Sequence, residues 1–264
     1  MRAYAELARG EFRRYSSYRL AILAGVFTNS VFGFIRVSVL SAAIATAGGS
    51  IAAYSAREVS TYVWLGQALL APIALFVWTD IADRVKTGEI AVDLSRPVDL
   101  QLGWWLRDLG RAAFVFPARG LPPLLVGALT VGLALPRSWT ALPLGLLSVT
   151  LGISISFALR FMINLIAFWT LDIRGFVGLY FVLIGPLCGL FVPVHMFPES
   201  LRAVINVLPF PWMFQAPIDV LSGRVLNWDA LHVIVIQAAW LVVLLVLGRM
   251  VLWRATLRLV VQGG

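Results

Sequence analysis

Charge is what this chain has least of: 13% of its 264 residues are Asp, Glu, Lys or Arg, against ~25% in an ordinary soluble domain. A solvated globular domain is thereby excluded. Lys86 is the only lysine, and no G-x-x-x-x-G-K-[ST] pattern surrounds it, so no Gly-rich turn with a lysine is available to cradle nucleotide phosphates. The single cysteine, Cys188, sits in an apolar run; alone it makes neither an intramolecular disulfide nor a cysteine metal cluster, and reads as packing. The two histidines, His195 and His232, have no second ligand at i+3 or i+4, so no metal site is expected. Carboxylates fall mostly in loops, with Glu199, Asp219 and Asp229 assigned to outer segments, and no acid–base pair is expected in a membrane pocket. There is no cleavable leader pattern, because "MRAYAELARGEFRRYSSYRL" is too charged before a first apolar run that is itself too long. Neither an internal repeat nor a low-complexity linker is present, and residues 1–264 read as one membrane domain.

Hydrocarbon, by contrast, is abundant: 60% of residues are hydrophobic and the mean hydropathy is +0.89. Apolar runs at Leu20–Thr46, Thr61–Thr79, Ala112–Leu135, Leu142–Thr170, Phe176–Val194 and Leu231–Trp253 match the ~18 or more residues a helix needs to cross a ~30 Å bilayer core. They lack the alternation of transmembrane strands. The expected fold is therefore an all-α integral membrane protein with six transmembrane helices.

The net charge of +8 follows the membrane and forms no nucleic-acid patch. With both termini on one side, that side collects Arg2, Arg9, Arg13, Arg14, Arg19, Arg84, Lys86, Arg96, Arg107, Arg111, Arg119, Arg174, Arg249, Arg254 and Arg258, while the other holds Arg57, Arg137, Arg202 and Arg224. The positive-inside rule puts both termini in the cytoplasm. In residues 1–19, Tyr4, Leu7, Ala8, Phe12, Tyr15 and Tyr18 form one helical stripe opposite Arg2, Glu6, Arg9 and Arg13, the pattern of an interfacial helix at headgroup depth.

Two punctuated passages stand out. In "DIADRVKTGEIAVDLSRPVDL", residues 80–100, Ile81, Ala82 and Val85 recur at helical spacing, Gly88 interrupts, and Arg96-Pro97 closes the passage: a short amphipathic helix with a hinge. Resting on lipid headgroups would also account for it. The second, residues 195–229, is Pro-rich around "FPESLRAVINVLPFPWMF" and reads as a re-entrant helix pair, because irregular backbone at membrane depth must be satisfied by protein or water.

This order of parts resembles the permease subunit of a type-2 ATP-binding-cassette transporter. The resemblance rests on "RVKTGEIAVDLSRPV" and on "LIGPLCGLFVPVHMFPESLRAVINVLPFPWMFQAPIDVLSG", and the layout covers almost the whole chain. It implies that the 80–100 passage is a coupling helix between spans 2 and 3, touching an ATPase through Arg84, Lys86, Gly88, Glu89, Arg96 and Pro97. It further implies an external gate at Gly189, Pro193, Pro198 and Pro209. The form "GEIAVDLSRP" looks most like a bacterial branch with two permeases and one ATPase. No cofactor is then bound directly; ATP and Mg sit on a partner ATPase with two ATP-binding domains. The second permease is non-identical in that branch, a homodimer being the alternative, and membrane lipid is the remaining partner.

Polar residues inside the runs are candidates for the translocation path or the dimer interface: Asn29, Arg36 and Gln67, with Arg160 and Asn164 on one stripe of the fourth run. A charge at mid-membrane costs about 2.5 kcal/mol or more, so Arg36 must face a partner or water. Pairing for assembly alone would satisfy it equally. So few polar groups suit an amphipathic or lipid-like cargo better than a sugar. The competing function classes are an ATP-independent carrier or channel and, last, an intramembrane enzyme.

Overall fold

In the computed structural model, which describes residues 2–16, 19–134, 136, 138–170 and 172–258, the regular elements among the described residues are helical, apart from one antiparallel bridge between Ile51 and Tyr54. Tyr18 of the N-terminal stripe, Leu135 at the end of the third run and Arg137 lie outside the described residues. Helix α1 is Arg2–Ser16 and α2 is Arg19–Thr46. The Tyr4 hydroxyl accepts the Asp99 N–H at 3.1 Å, and Phe12 sits edge-on to Phe114 at 5.1 Å. Thus α1 packs along α6 (Leu100–Val115) with the face expected at headgroup depth. Gly110 permits this, since a Cβ there would lie 2.2 Å from the Ala8 carbonyl oxygen.

Among the described residues, four stretches are long and apolar enough to cross a membrane: Ile22–Thr46, Leu100–Thr130, Ala141–Thr170 and Asn227–Thr256. The second and fifth runs, expected as full spans, form shorter helices. Helix α3, Ala56–Ile73, starts five residues before Thr61 because Ser55 and Glu58 build a capping box. It stops after Ile73, where Ala74 takes a φ of 53, so the chain to Thr79 is not helical. Helix α10, Arg174–Cys188, ends at Gly189, whose φ is 84, leaving the rest of the fifth run to Val194 outside it. The third run is corrected at its start: Asp99 accepts the Leu102 N–H at 2.8 Å, and the helix therefore begins at Leu100, not Ala112. Its course passes through a π turn, Phe116–Gly120, into α7, Leu121–Thr130. Pro117, Pro122 and Pro123 withhold donors there, and the wider turn absorbs the misfit.

Helix α8, Ala141–Leu165, is the central post, packed on α3, α6 and the later helices. The 80–100 passage folds as two helices, α4 (Asp80–Thr87) and α5 (Ile90–Ser95), joined at Gly88 in the left-handed region at φ 81. After α9 (Ala167–Thr170) and α10, the outer passage contains α11 (Glu199–Asn206), α12 (Phe210–Met213) and α13 (Gln215–Leu221), before α14 (Asn227–Thr256) closes the chain. Residues 215–220 of α13 are all buried. Gly152 of α8 admits them closely: a Cβ there would fall 2.5 Å from the Met213 carbonyl oxygen.

Candidate functional site

The α4–α5 elbow is exposed at its tip and tied down at its root. At the tip, Arg84 pairs with Glu89 and with Asp93, each at 3.1 Å, and Arg96 pairs with Asp93 at 3.4 Å. The expected contacts Arg84, Glu89 and Arg96 thus belong to a surface ion network that fixes α5 against α4. Lys86, Gly88, Glu89, Arg96 and Pro97 are exposed, together with Val92 at 57%. Ile81 and Ile90, fully buried, pin the two helices to the bundle.

The root consists of side chains that sequence reasoning placed elsewhere. Asn164, expected on the translocation path or dimer interface, is wholly buried. Its Oδ1 accepts the Ala82 N–H at 3.0 Å, while its Nδ2 donates to the Trp78 carbonyl at 2.7 Å. It therefore grips both sides of the turn into α4. Arg160, expected in the same role, is also wholly buried: its Nη2 donates to Asp108 Oδ2 at 2.8 Å and its guanidinium lies 5.5 Å from the Trp78 ring centroid. Asp108 Oδ1 in turn accepts from Arg111 Nε at 2.8 Å.

Arg111 completes the joint. Its Nη1 and Nη2 donate to the carbonyls of Ala71 and Pro72, at 2.9 and 2.7 Å, and Ser156 Oγ donates to the Ala74 carbonyl at 3.2 Å. These are carbonyls left open where α3 ends, and a cation there also opposes the negative end of the helix dipole. The reading of this stretch as a loop ahead of the third run is corrected by this cluster, an ion pair buried inside the bundle. Asp108 and Arg111 seemed to lie in a loop because a hydropathy window counts charges singly and cannot see that they neutralise one another.

Asn29, Arg36 and Gln67 do share a place: all three line one cavity of about 570 Å³, with Arg111 and Arg119. Asn29 Nδ2 donates to the Gln67 carbonyl at 3.3 Å, and Arg36 Nη2 donates to the Leu190 carbonyl. The small face of α2 makes room. At Gly25 a Cβ would stand 2.1 Å from Arg119 Nη2, and at Gly33 a Cβ would stand 2.7 Å from the Trp64 ring.

A second polar cluster, which sequence reasoning missed, closes the other end. The Tyr62 hydroxyl donates to the Gly189 carbonyl or to Gln215 Oε1, both at 2.6 Å; Gln215 Oε1 also accepts the Val194 N–H at 3.0 Å. Gln215 Nε2 donates to Asp219 Oδ1 at 2.9 Å, and His195 Nε2 meets Asp219 Oδ2 at 2.9 Å. Arg224 lies 3.8 Å over the Tyr54 ring. Burial first, then the charge of Asp219, holds the Tyr54 phenol above its usual range. Of the expected gate residues, Gly189 enters this cluster, while Pro193, Pro198 and Pro209 precede the Val194–Met196 turn, α11 and α12 respectively. The i, i+4 spacing of Gln215 and Asp219 was the available signal, passed over because Asp219 was counted only as a carboxylate of the outer, re-entrant segment.

Residues 31–263 match the model of a family described as ABC-2 family transporter protein. No curated protein matches the chain.

Proposed function

The chain belongs to the ABC-2 transporter family as a membrane permease subunit that works with an ATPase subunit, and from that premise we propose that it drives export across a bacterial cell membrane by moving the α4–α5 elbow. It crosses the membrane six times with both termini cytoplasmic, α3 and α10 completing the spans beside a second permease. The second permease is non-identical, as the "GEIAVDLSRP" form suggests. ATP and Mg are handled on the partner ATPase, and this chain performs no chemistry on them.

The observation that carries this reading is the contrast within the elbow: an exposed, Gly-hinged tip on a root held by buried ion pairs. A partner that changes shape can shift the equilibrium of the permease only through contacts that differ between two states. The exposed Val92, Lys86 and Glu89 offer such contacts, and the root transmits displacement to α3 through Arg111 and to α8 through Asn164. Asp108 is not available as the proton acceptor of an ATP-independent carrier, because both its oxygens are already engaged by guanidiniums.

The test is gentle affinity purification from the native membrane followed by mass spectrometry and ATPase assay. Recovery of an ATP-binding-cassette ATPase with the wild type, and its loss with Val92→Asp, supports the reading. A lone protein in several mild detergents, with transport surviving ATP depletion, sinks it.

A further inference from the structure

The cavity beside α2 combines cationic and apolar walls with no acid. Among its described lining residues are Arg36, Arg111 and Arg119 and neither Asp nor Glu. Arg111 is neutralised by Asp108, but Arg36 and Arg119 form no ion pair among the described residues, and the Nε of each is buried without a hydrogen-bond partner. Leaving guanidinium groups inside a membrane protein without a counter-charge is costly. Around them Phe32, Phe76 and Phe191 line the same cavity and are each about half exposed, at 55%, 48% and 58%.

We propose that this cavity is a binding site for an anionic amphiphile, its phosphate or carboxylate held by Arg36 and Arg119 and its hydrocarbon laid against Phe32, Phe76 and Phe191. A guanidinium presents donors in a planar fork that matches either oxyanion. The absence of a side chain at Gly25 provides the lane in which Arg119 lies. The permease reading adds one consequence, which rests on it: the amphiphile is the exported cargo. A resident anionic phospholipid would present the same chemistry.

Equilibrium binding of radiolabelled dodecyl phosphate to the purified full-length chain, with and without its ATPase, in phosphatidylcholine nanodiscs, tests the site. The expected result is saturable binding that dodecyltrimethylammonium does not compete for. Arg119→Gln and Arg36→Gln should each weaken it on the order of tenfold, the loss of one charge-assisted contact. Gly25→Ala, which displaces the Arg119 guanidinium but keeps its charge, should weaken it as well. Acceleration of ATP hydrolysis by dodecyl phosphate identifies cargo; displacement by phosphatidylglycerol with an unchanged hydrolysis rate identifies a resident lipid, and either supports an anion site. No saturable binding, equal competition by the cationic probe, or undiminished affinity in Arg119→Gln overturns it. Because binding can be read on the chain alone, failure to recover an ATPase would remove the exporter reading and leave the binding result standing.

Discussion

The two ends of the bundle each bury a polar cluster, and they are built from different chemistry. At the elbow, one carboxylate, Asp108, sits between two guanidiniums, Arg111 and Arg160, with bonds of 2.8 Å to each. At the other end, one carboxylate, Asp219, is ringed by the amide of Gln215, the imidazole of His195 and the phenol of Tyr54. Both carboxylates accept charge-assisted bonds, but only at the elbow are the donors guanidiniums, which are always charged and present a rigid fork. The elbow root is therefore a stiff joint suited to carrying displacement between α4, α3 and α8. The distal cluster relies on amide, imidazole and phenol donors that can exchange partners, which suits a closure that must part and re-form.

The sharpest way to break this comparison is to remove the carboxylate of the stiff joint. Asp108→Leu leaves Arg111 and Arg160 buried and like-charged, and should lower stability by about 3–5 kcal/mol. The measurement is thermal unfolding in mild detergent. An unchanged midpoint would mean that the guanidiniums find other partners. Gln215→Leu in the distal cluster should cost less, about 1–3 kcal/mol, the desolvation of buried groups left unpaired. If it proved the more damaging of the two, the assignment of stiff and soft ends would be reversed.

Asn164→Leu tests transmission: stability falls by a similar 1–3 kcal/mol, while ATP hydrolysis in the assembled complex continues and transport does not. Transport in proportion to hydrolysis would show that the turn into α4 needs no such grip. Glu89→Lys at the exposed tip should shift stability by no more than about 0.5 kcal/mol, yet weaken ATPase binding in a pull-down. Full retention of the ATPase would move the contact away from the tip.

The smallest effect concerns acid. Asp99 is half-buried, which by itself would raise its pKa, but its bonds from Arg249 and the Leu102 N–H outweigh burial and hold it below its ordinary 3.8. A depressed carboxyl contributes stability that is complete above that value and is lost as pH falls through its lower folded pKa. Unfolding midpoints followed from pH 6 downward should therefore stay flat with respect to Asp99 until below ~4. Asp99→Asn should abolish the acid-dependent part; an identical profile in that variant would assign it to other carboxylates.

Much of the molecule was legible along the chain because its signals are local. The first, fourth and last apolar runs match helices to within about one turn, since long hydrocarbon runs tolerate little other than helix in a bilayer. Gly88 marked the elbow because a left-handed φ favours glycine. The boundaries that failed did so at particular residues. Asp99 capped a helix that begins at Leu100, twelve residues before the expected start at Ala112, and Ala74 took a left-handed φ of 53 that no local pattern announced.

By itself, the sequence determined the solvent this protein lives in, the helical class that solvent enforces, the order of the parts and the hinge in the elbow. Each follows from composition or from neighbours a few residues apart. Only the tertiary structure decided that Arg160 meets Asp108 across 52 positions of chain, that Asn164 bonds both sides of the turn into the elbow, and that Arg36 and Arg119 face one cavity. The reason is physical: a charge in a membrane helix is tolerable only with a partner, and the partner comes from whichever helix packs alongside.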